Sequence, residues 1–166
     1  MTVKGGGGSV MLWSAITYAG VGWICKIEGT INWYLYKQIF EEDLELTINL
    51  TLNKLGLRRD QIIFQHDNDP KHTSNLVKGY LLDQHYEVIN WPPQPPDLSR
   101  IENMWILLKR RLNEYETAPK GIPDLSERVT EAWYNTIKQE ECQKVIDGMP
   151  NGVKVCLERN SLWTDY

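Results

Sequence analysis

The chain has 166 residues, enough for one domain with a buried core, and 42% of them are hydrophobic. Its net charge of −4 and its pI of about 5.4 argue against a free-standing nucleic-acid-binding module, which usually carries a basic excess, but they allow a catalytic core rich in metal-holding carboxylates. No stretch is long and apolar enough to span a bilayer, and Met1–Gly8 lacks the apolar core of a signal peptide, so we expect a nuclear or cytoplasmic protein that is not secreted.

The first half of the chain predicts a hairpin followed by one long helix. Two apolar, β-prone runs, Ser9–Tyr18 and Val21–Glu28, flank a short turn and therefore predict a pair of antiparallel strands. A helix is predicted from Asn32 to Leu55, where Gly56 ends it. Its expected buried face is an apolar stripe at roughly helical spacing, formed by Leu35, Ile39, Leu46 and Leu50.

The second half predicts short strands that alternate with helices. Strands are expected over residues 61–66 and 87–91, and the helix between them is capped by Thr73 or Ser74. The proline-rich connection 92–96 can be neither helix nor central strand. Helix resumes at Ser99, with an apolar face formed by Ile101, Met104, Trp105, Leu108 and Leu112, and two or three further helices complete the chain. This order of elements predicts one mixed α/β sheet with helices on both faces.

Two carboxylates stand where an α/β sheet usually forms its site. Asp67 directly follows the strand around residues 62–64, and Glu102 lies in the first turn of the helix after the next strand. Sites in open α/β sheets form beyond the carboxyl ends of the strands. Carboxylates on different elements suit two magnesium ions that assist phosphodiester hydrolysis or strand transfer.

Each of these residues also has a purely local explanation. The Asp67-Asn68-Asp69-Pro70 run is typical of a turn, and Glu102 follows Ser99 at the spacing of a capping box. Lys109-Arg110-Arg111 forms either a solvated helix face or a contact to phosphate. The three cysteines, Cys25, Cys142 and Cys156, match neither a zinc site nor a disulfide framework and are expected to be reduced thiols.

Two long motifs resemble those of the Tc-one/mariner transposases. Phe64–Ser74 resembles the family's second-aspartate motif, and Asn90–Trp105 resembles its final-carboxylate motif. The 34 residues between Asp67 and Glu102, and the Glu at the end, are the mark of the Tc-one branch, since the mariner branch ends in Asp. Weaker likeness extends the resemblance over essentially the whole chain, at residues 6–13, 27–32, 148–150 and 164–166.

The resemblance implies a single RNase H-like catalytic domain over residues 1–166, with a mixed sheet flanked by helices. It implies metal-dependent DNA cleavage and strand transfer, with Mg²⁺ or Mn²⁺ held by Asp67 and Glu102 and with transposon-end DNA as the partner. Asp69, His72 and Asp97 match the motifs as residues that shape the loops. The chain departs from the family at Ser99-Arg100, where Asn-Pro is usual.

The resemblance also implies that this chain is incomplete. The family's first catalytic aspartate lies on a central strand before the glycine-led one, and helix-turn-helix modules precede it, so we expect a domain that lacks both. The strand over 9–18 would then pair directly with 61–66, or a second chain would supply the pairing in a homodimer. We expect weak metal binding and negligible cleavage by this chain alone. The alternatives are a transposase-derived, non-catalytic dimerising interaction protein and an unrelated RNase H-like nuclease.

Overall fold

The computed structural model describes residues 8–66, 69, 72, 74–89 and 100–150. Strands β1 (Met11–Thr17) and β2 (Gly20–Ile27) form an antiparallel hairpin, in which Met11 lies opposite Ile27 and Thr17 opposite Gly20. A bulge between Ser14 and Ile16 interrupts the register. The predicted hairpin is therefore confirmed.

One continuous helical segment follows the hairpin, as the sequence predicts. It consists of α1 (Trp33–Ile39), a π-helical turn (Phe40–Leu44) and α2 (Glu45–Leu55). The Asn32 side chain begins it by accepting hydrogen bonds of 3.0 and 2.9 Å from the main-chain N–H groups of Tyr34 and Leu35. Gly56 ends it in the left-handed conformation, with a φ of 66° that favours glycine.

The buried face predicted for this segment is wrong in its second half. Leu46 and Leu50 are 46% and 59% exposed, whereas Leu44, Thr47 and Ile48 are buried. The π-helical turn holds more residues per turn than an α-helix, so it changes which side chains beyond it face the core. An apolar face predicted with one α-helical period along the whole segment therefore no longer faces the core beyond Ile39.

The predicted strands around residues 61–66 and 87–91 are present but short. A 3-10 turn (Arg59–Gln61) leads into β3 (Ile63–Phe64), which pairs in parallel with β4 (Glu87–Val88). Between them lies α3 (Asn75–Asp83), and the hydroxyl of Ser74 accepts the capping hydrogen bond at 3.4 Å. Ser74 is thus a cap of this helix, while Thr73 lies outside the described residues.

Three helices complete the described chain: α4 (Arg100–Asn113), α5 (Ile122–Thr136) and α6 (Gln139–Asp147). The predicted apolar face of α4 is confirmed, because Met104 and Leu108 are fully buried and the other members pack against the same cluster. The proline-rich connection 92–96 lies outside the described residues. No described helix has the length and apolarity needed to cross a membrane.

The hairpin separates two layers of helices, because alternate side chains of β1 enter two different hydrophobic clusters. Leu12 and Ile16 pack against the α4–α6 cluster, whose buried members are Val10, Met104, Leu108, Leu125, Val129, Ala132, Trp133, Ile137 and Cys142. Trp13 and Ala15 pack against the α1–α3 cluster, whose buried members are Tyr36, Phe40, Leu44, Ile48, Val77, Leu81 and Tyr86. The core therefore has helices on both faces of a β layer, as predicted.

The expectation of one sheet is wrong for the described residues. There, β1 pairs with β2 and β3 pairs with β4 in two separate two-stranded sheets, and no ladder joins β1 (Met11–Thr17) to β3 (Ile63–Phe64) as the expected pairing of 9–18 with 61–66 would require. Side-chain packing joins the two sheets instead. The ring of Phe40 lies 6.0 Å from that of Trp13 on β1 and 5.4 Å from that of Phe64 on β3.

Candidate functional site

Glu102 occupies the first turn of α4, with its side chain directed away from the core. The apolar spacing of α4 buries Met104 and Leu108, and it leaves Glu102 and Lys109 exposed. Within the described part of the chain, the Glu102 carboxylate has no hydrogen-bond or ion-pair partner. Ser99, the other half of the expected capping box, lies outside that part.

Glu102 opens onto a groove between α4 and the start of β1. Glu102, Trp105 and Lys109 line one wall, and Ser9–Leu12 line the other. Residues three and seven positions apart share one side of an α-helix, which explains why these three side chains meet the same space. The space, which we call the Glu102 groove, has a volume of about 370 Å³.

Arg100 fixes the first turn of α4 to the end of α6. Its side chain is only 8% exposed, and Nη2 donates a 3.0 Å hydrogen bond to the carbonyl oxygen of Gly148. A cation is unfavourable at the amino end of its own helix but favourable at the carboxyl end of another, where the carbonyl groups carry partial negative charge. The sequence prediction missed this role, although Arg100 stands four residues before Met104 on the buried side of α4.

The loop after β3 is attached to the α1–α3 cluster at both of its described ends. The His66 ring lies 5.2 Å from that of Phe64, and the His72 ring stacks on Tyr36 at 4.0 Å and 18°. The main-chain N–H of His72 donates a 2.8 Å hydrogen bond to the carbonyl of Asp69. The structure thus places Asp69 and His72 in the turn that they are expected to shape.

Asp67 and Asp97 lie outside the described residues, so the structure locates Glu102 but not its expected partner. Among the residues that are described, no three His, Cys, Asp or Glu side chains are grouped so that they could hold a metal ion. Glu102 fits a hard divalent cation as one ligand, because its carboxylate oxygens are exposed and unpaired within that part of the chain. A complete site would need further oxygen ligands, and Asp67 is the one that the sequence predicts.

Comparison with known proteins decides the family. The model of the DDE superfamily endonucleases matches residues 2–125, which is most of the chain. The chain belongs to the DDE superfamily endonucleases. Within this superfamily it is a relative of the Tc-one/mariner transposases, as the two motifs predict.

The most similar relatives include two nematode transposases. The chain is 33% identical to the Tc1 transposase of Caenorhabditis elegans and 33% identical to the Tcb1 transposase of Caenorhabditis briggsae, over 99% of its own length. It spans 57% of the length of each of these relatives. The likeness therefore concerns a little over half of a transposase.

The fold of this endonuclease relative is also found among solved structures. The catalytic domain of the Mos1 mariner transposase superposes with a TM-score of 0.80 at 20% identity, and the match covers 94% of this chain and 76% of that one. At this identity the match shows a shared fold. Other similar structures are the Mos1 catalytic domain with raltegravir and Mg or Mn, and a Mos1 paired-end complex with the left transposon end.

The described cysteines of this DDE relative are not reactive nucleophiles. Cys25 and Cys142 are free thiols. Burial, aided by the neighbouring Asp43, raises the pKa of the Cys25 thiol to about 12, and burial raises that of Cys142 to about 11. Both therefore stay protonated at neutral pH, as expected for ordinary reduced thiols, while Cys156 lies outside the described residues.

Proposed function

We propose that this chain forms part of the catalytic domain of a Tc-one/mariner transposase, which cleaves DNA at transposon ends and transfers the cut strand to a target. Asp67 and Glu102 would hold Mg²⁺ or Mn²⁺ in an RNase H-like domain. One observation carries the proposal: in a DDE endonuclease relative, Glu102 is exposed and unpaired among the described residues, at the edge of a groove. The Mos1 structures with Mg, Mn and transposon-end DNA support the choice of cofactor and partner.

The metal ions and the protein chain would have different roles in the reaction. Bound divalent cations would activate the attacking hydroxyl group or water and stabilise the leaving oxygen of the phosphodiester. The protein chain would keep the carboxylate oxygens in fixed positions. Glu102 presents its carboxylate from a helix turn that Arg100 fixes to Gly148, and His66 and His72, which flank Asp67 in sequence, pack on the other layer. Ligands held on rigid elements lose little entropy when a metal binds.

The resemblance assigns three carboxylates to the reaction, and this chain matches two of them, Asp67 and Glu102. We therefore expect the 166-residue chain to bind divalent metal weakly and to nick DNA negligibly by itself. A nuclear location and a homodimer are part of the same proposal. The second candidate function is a non-catalytic, dimerising interaction protein derived from a transposase, which would need no metal at Glu102.

Metal titration separates these two functions. We would follow Mn²⁺ binding by calorimetry in the unsubstituted chain, in Glu102→Gln and in Asp67→Asn. Both substitutions should abolish the binding, and Glu102→Asp should keep part of it because it keeps the charge. Glu127→Gln is the matched control, since Glu127 is an exposed carboxylate on α5 without a described partner.

Each part of the proposal has a result that would contradict it. Unchanged Mn²⁺ binding in Glu102→Gln would remove Glu102 from the metal site. Strong Mg²⁺-dependent nicking by the 166-residue chain would show that two matched carboxylates suffice. Light scattering that finds a monomer would count against the homodimer and against the dimerising interaction protein.

A further inference from the structure

We propose that the outer edge of β2 binds an extended, positively charged peptide segment of a partner protein, in a groove beside α1 and the π-helical turn. Among the described residues, β2 lies at one end of its two-stranded sheet. An exposed strand edge offers N–H and C=O groups with which another chain can pair. This inference does not depend on the proposed function, because it concerns neither the candidate metal ligands nor the Glu102 groove.

The main chain of Lys26 faces outward from the hairpin. The N–H of Ile24 donates a 3.1 Å hydrogen bond to the hydroxyl of Tyr134 on α5, so this N–H faces away from β1. Inward and outward residues alternate along an antiparallel strand, and the register from Ile24 to Ile27 is unbroken, so the N–H and C=O of Lys26 face the same outer side. Within the described part of the chain, no hydrogen bond from beyond the hairpin reaches them.

A groove runs along this outer edge, and we call it the β2-edge groove. Cys25–Glu28 form one wall, and residues of α1 and of the π-helical turn form the other, around a volume of about 380 Å³. Leu35 and Ile39 make part of the α1 wall apolar. Apolar side chains beside open main-chain groups suit a peptide strand, since its main chain can pair with β2 while alternate side chains enter the groove.

The β2-edge groove carries more negative than positive charge. Glu28, Glu42 and Asp43 line it, together with one cation, Lys26. Lys26 pairs with Glu28 at 3.4 Å, and no described cation pairs with Glu42 or Asp43. Burial, and after it the charge of Glu42, raises the pKa of the Asp43 carboxyl. A cation that reaches these two carboxylates would therefore meet negative charge that the described residues do not compensate.

This charge selects a basic peptide over the other candidate occupants. The carboxylates would repel the phosphates of DNA, and a second copy paired through the same edge would bring like charges together. A metal ion is also a poor fit, since no group of three His, Cys, Asp or Glu among the described residues could hold one. A strand with Lys or Arg at every second position would pair with β2 and place its cations beside Glu42 and Asp43.

The test is an NMR titration of the isotopically labelled 166-residue chain with a capped peptide of the sequence lysine-valine-lysine-valine-lysine. Binding should shift the main-chain amide signal of Lys26 and the side-chain amide signal of Gln38, which lines the groove. Glu42→Gln and Asp43→Asn should each weaken binding about 2- to 5-fold, and together about tenfold. Glu127→Gln, on α5 and outside the groove, is the matched control and should leave binding unchanged.

Two modified peptides separate strand addition from the attraction of charge alone. A strand added to β2 directs only every second N–H toward it. N-methylation removes an N–H and keeps the charge. Of one peptide methylated at both valines and another methylated at the central lysine, one should lose binding and the other should keep it. A peptide with glutamate in place of every lysine should not bind.

Several results would overturn the inference. The first is an unchanged Lys26 signal in the presence of the lysine peptide, and the second is equal binding of the two methylated peptides. The third is unchanged binding in the double variant when its melting curve shows a folded protein. If that variant unfolds, the methylated peptides still decide the question on the unsubstituted chain. Shifts of the same signals by Mg²⁺, by duplex DNA or by a higher concentration of the chain itself would assign the edge to another occupant.

Discussion

Gly22 is the point at which a single added methyl group should damage the hairpin most. A Cβ atom at this position would lie 2.4 Å from Cγ2 of Thr47 and 2.7 Å from both Oγ1 of Thr47 and the carbonyl oxygen of Ala15. Neither Thr47 nor the main chain at Gly22 can easily move to make room for the added atom. Thr47 is buried on α2, and the carbonyl of Gly22 accepts the hydrogen bond from Trp133.

The expected cost of Gly22→Ala is about 3 kcal/mol. Forcing an extra carbon into a well-packed core costs about 1–3 kcal/mol. Moving Thr47 also disturbs two hydrogen bonds, because its Oγ1 accepts from the N–H of Trp23 at 2.8 Å and donates to the carbonyl of Asp43 at 2.9 Å. Each such bond contributes about 1 kcal/mol. A loss of this size would lower the Tm by roughly 6 to 12 °C in a domain of this length.

Urea denaturation of a double-mutant cycle tests the contact itself. Thr47→Ala removes two of the three close atoms and should cost about 2 kcal/mol alone through its lost hydrogen bonds. The double variant should be more stable than the sum of the single effects by at least about 1 kcal/mol, although the Ala15 carbonyl still opposes the new methyl group. Gly79→Ala is the control: Gly79 lies in α3 with nothing within 4 Å of an added Cβ, so alanine should stabilise by about 0.5–1 kcal/mol. Additive effects of Gly22→Ala and Thr47→Ala would refute the reasoning.

Two further predictions concern charge. Arg100→Met should lower the free energy of unfolding by about 1.5–3 kcal/mol, because it removes a charged hydrogen bond to Gly148, and it should weaken Mn²⁺ binding; Arg100→Lys should restore part of both. Equal melting and metal affinity of Arg100→Met and the unsubstituted chain would contradict this. The pKa of Cys25 is raised to about 12 in the folded chain by burial and by Asp43, against its ordinary value of 9.0. The unfolded thiol therefore ionises first, so its contribution to stability is complete below pH 9.0 and is lost as the pH rises toward 12. Urea unfolding at alkaline pH should show a shallower decline in Cys25→Ala, and parallel declines would exclude Cys25 as the cause.

Local patterns in the sequence predicted the elements whose stability is local. The hairpin, the helix cap at Thr73 or Ser74 and the buried face of α4 follow from apolar β-prone runs, from capping chemistry and from helical spacing, which a short stretch of chain determines by itself. The stripe over Leu46 and Leu50 failed because a π-helical turn changed the phase of the helix, and the residues of that turn carry no signal that distinguishes it from an α-helix.

The remaining differences depend on contacts between distant parts of the chain. Apolar β-prone runs identified β1 and β3 as strands, but they carry no information that the two strands lie in separate sheets within the described residues, joined through the ring of Phe40. Spacing and resemblance selected Glu102, yet the contact that fixes its helix turn joins Arg100 to Gly148, 48 positions away. A pairing over that distance has no periodic trace in the sequence.

The layered core explains why a metal site in this chain would depend on the hairpin. Glu102 is carried by the α4–α6 cluster, whereas His66 and His72, which flank the Asp67 segment, pack on the α1–α3 cluster. Side chains of β1 enter both clusters, so the hairpin sets how the two layers lie against each other. We propose that a cation bound by Asp67 and Glu102 together loses affinity when the packing between the layers loosens, because Glu102 is carried by one layer and the residues that flank Asp67 in sequence pack on the other. Gly22→Ala alters that packing without touching either carboxylate. If the two layers share the metal site, Mn²⁺ binding should be weaker in Gly22→Ala and unchanged in Gly79→Ala.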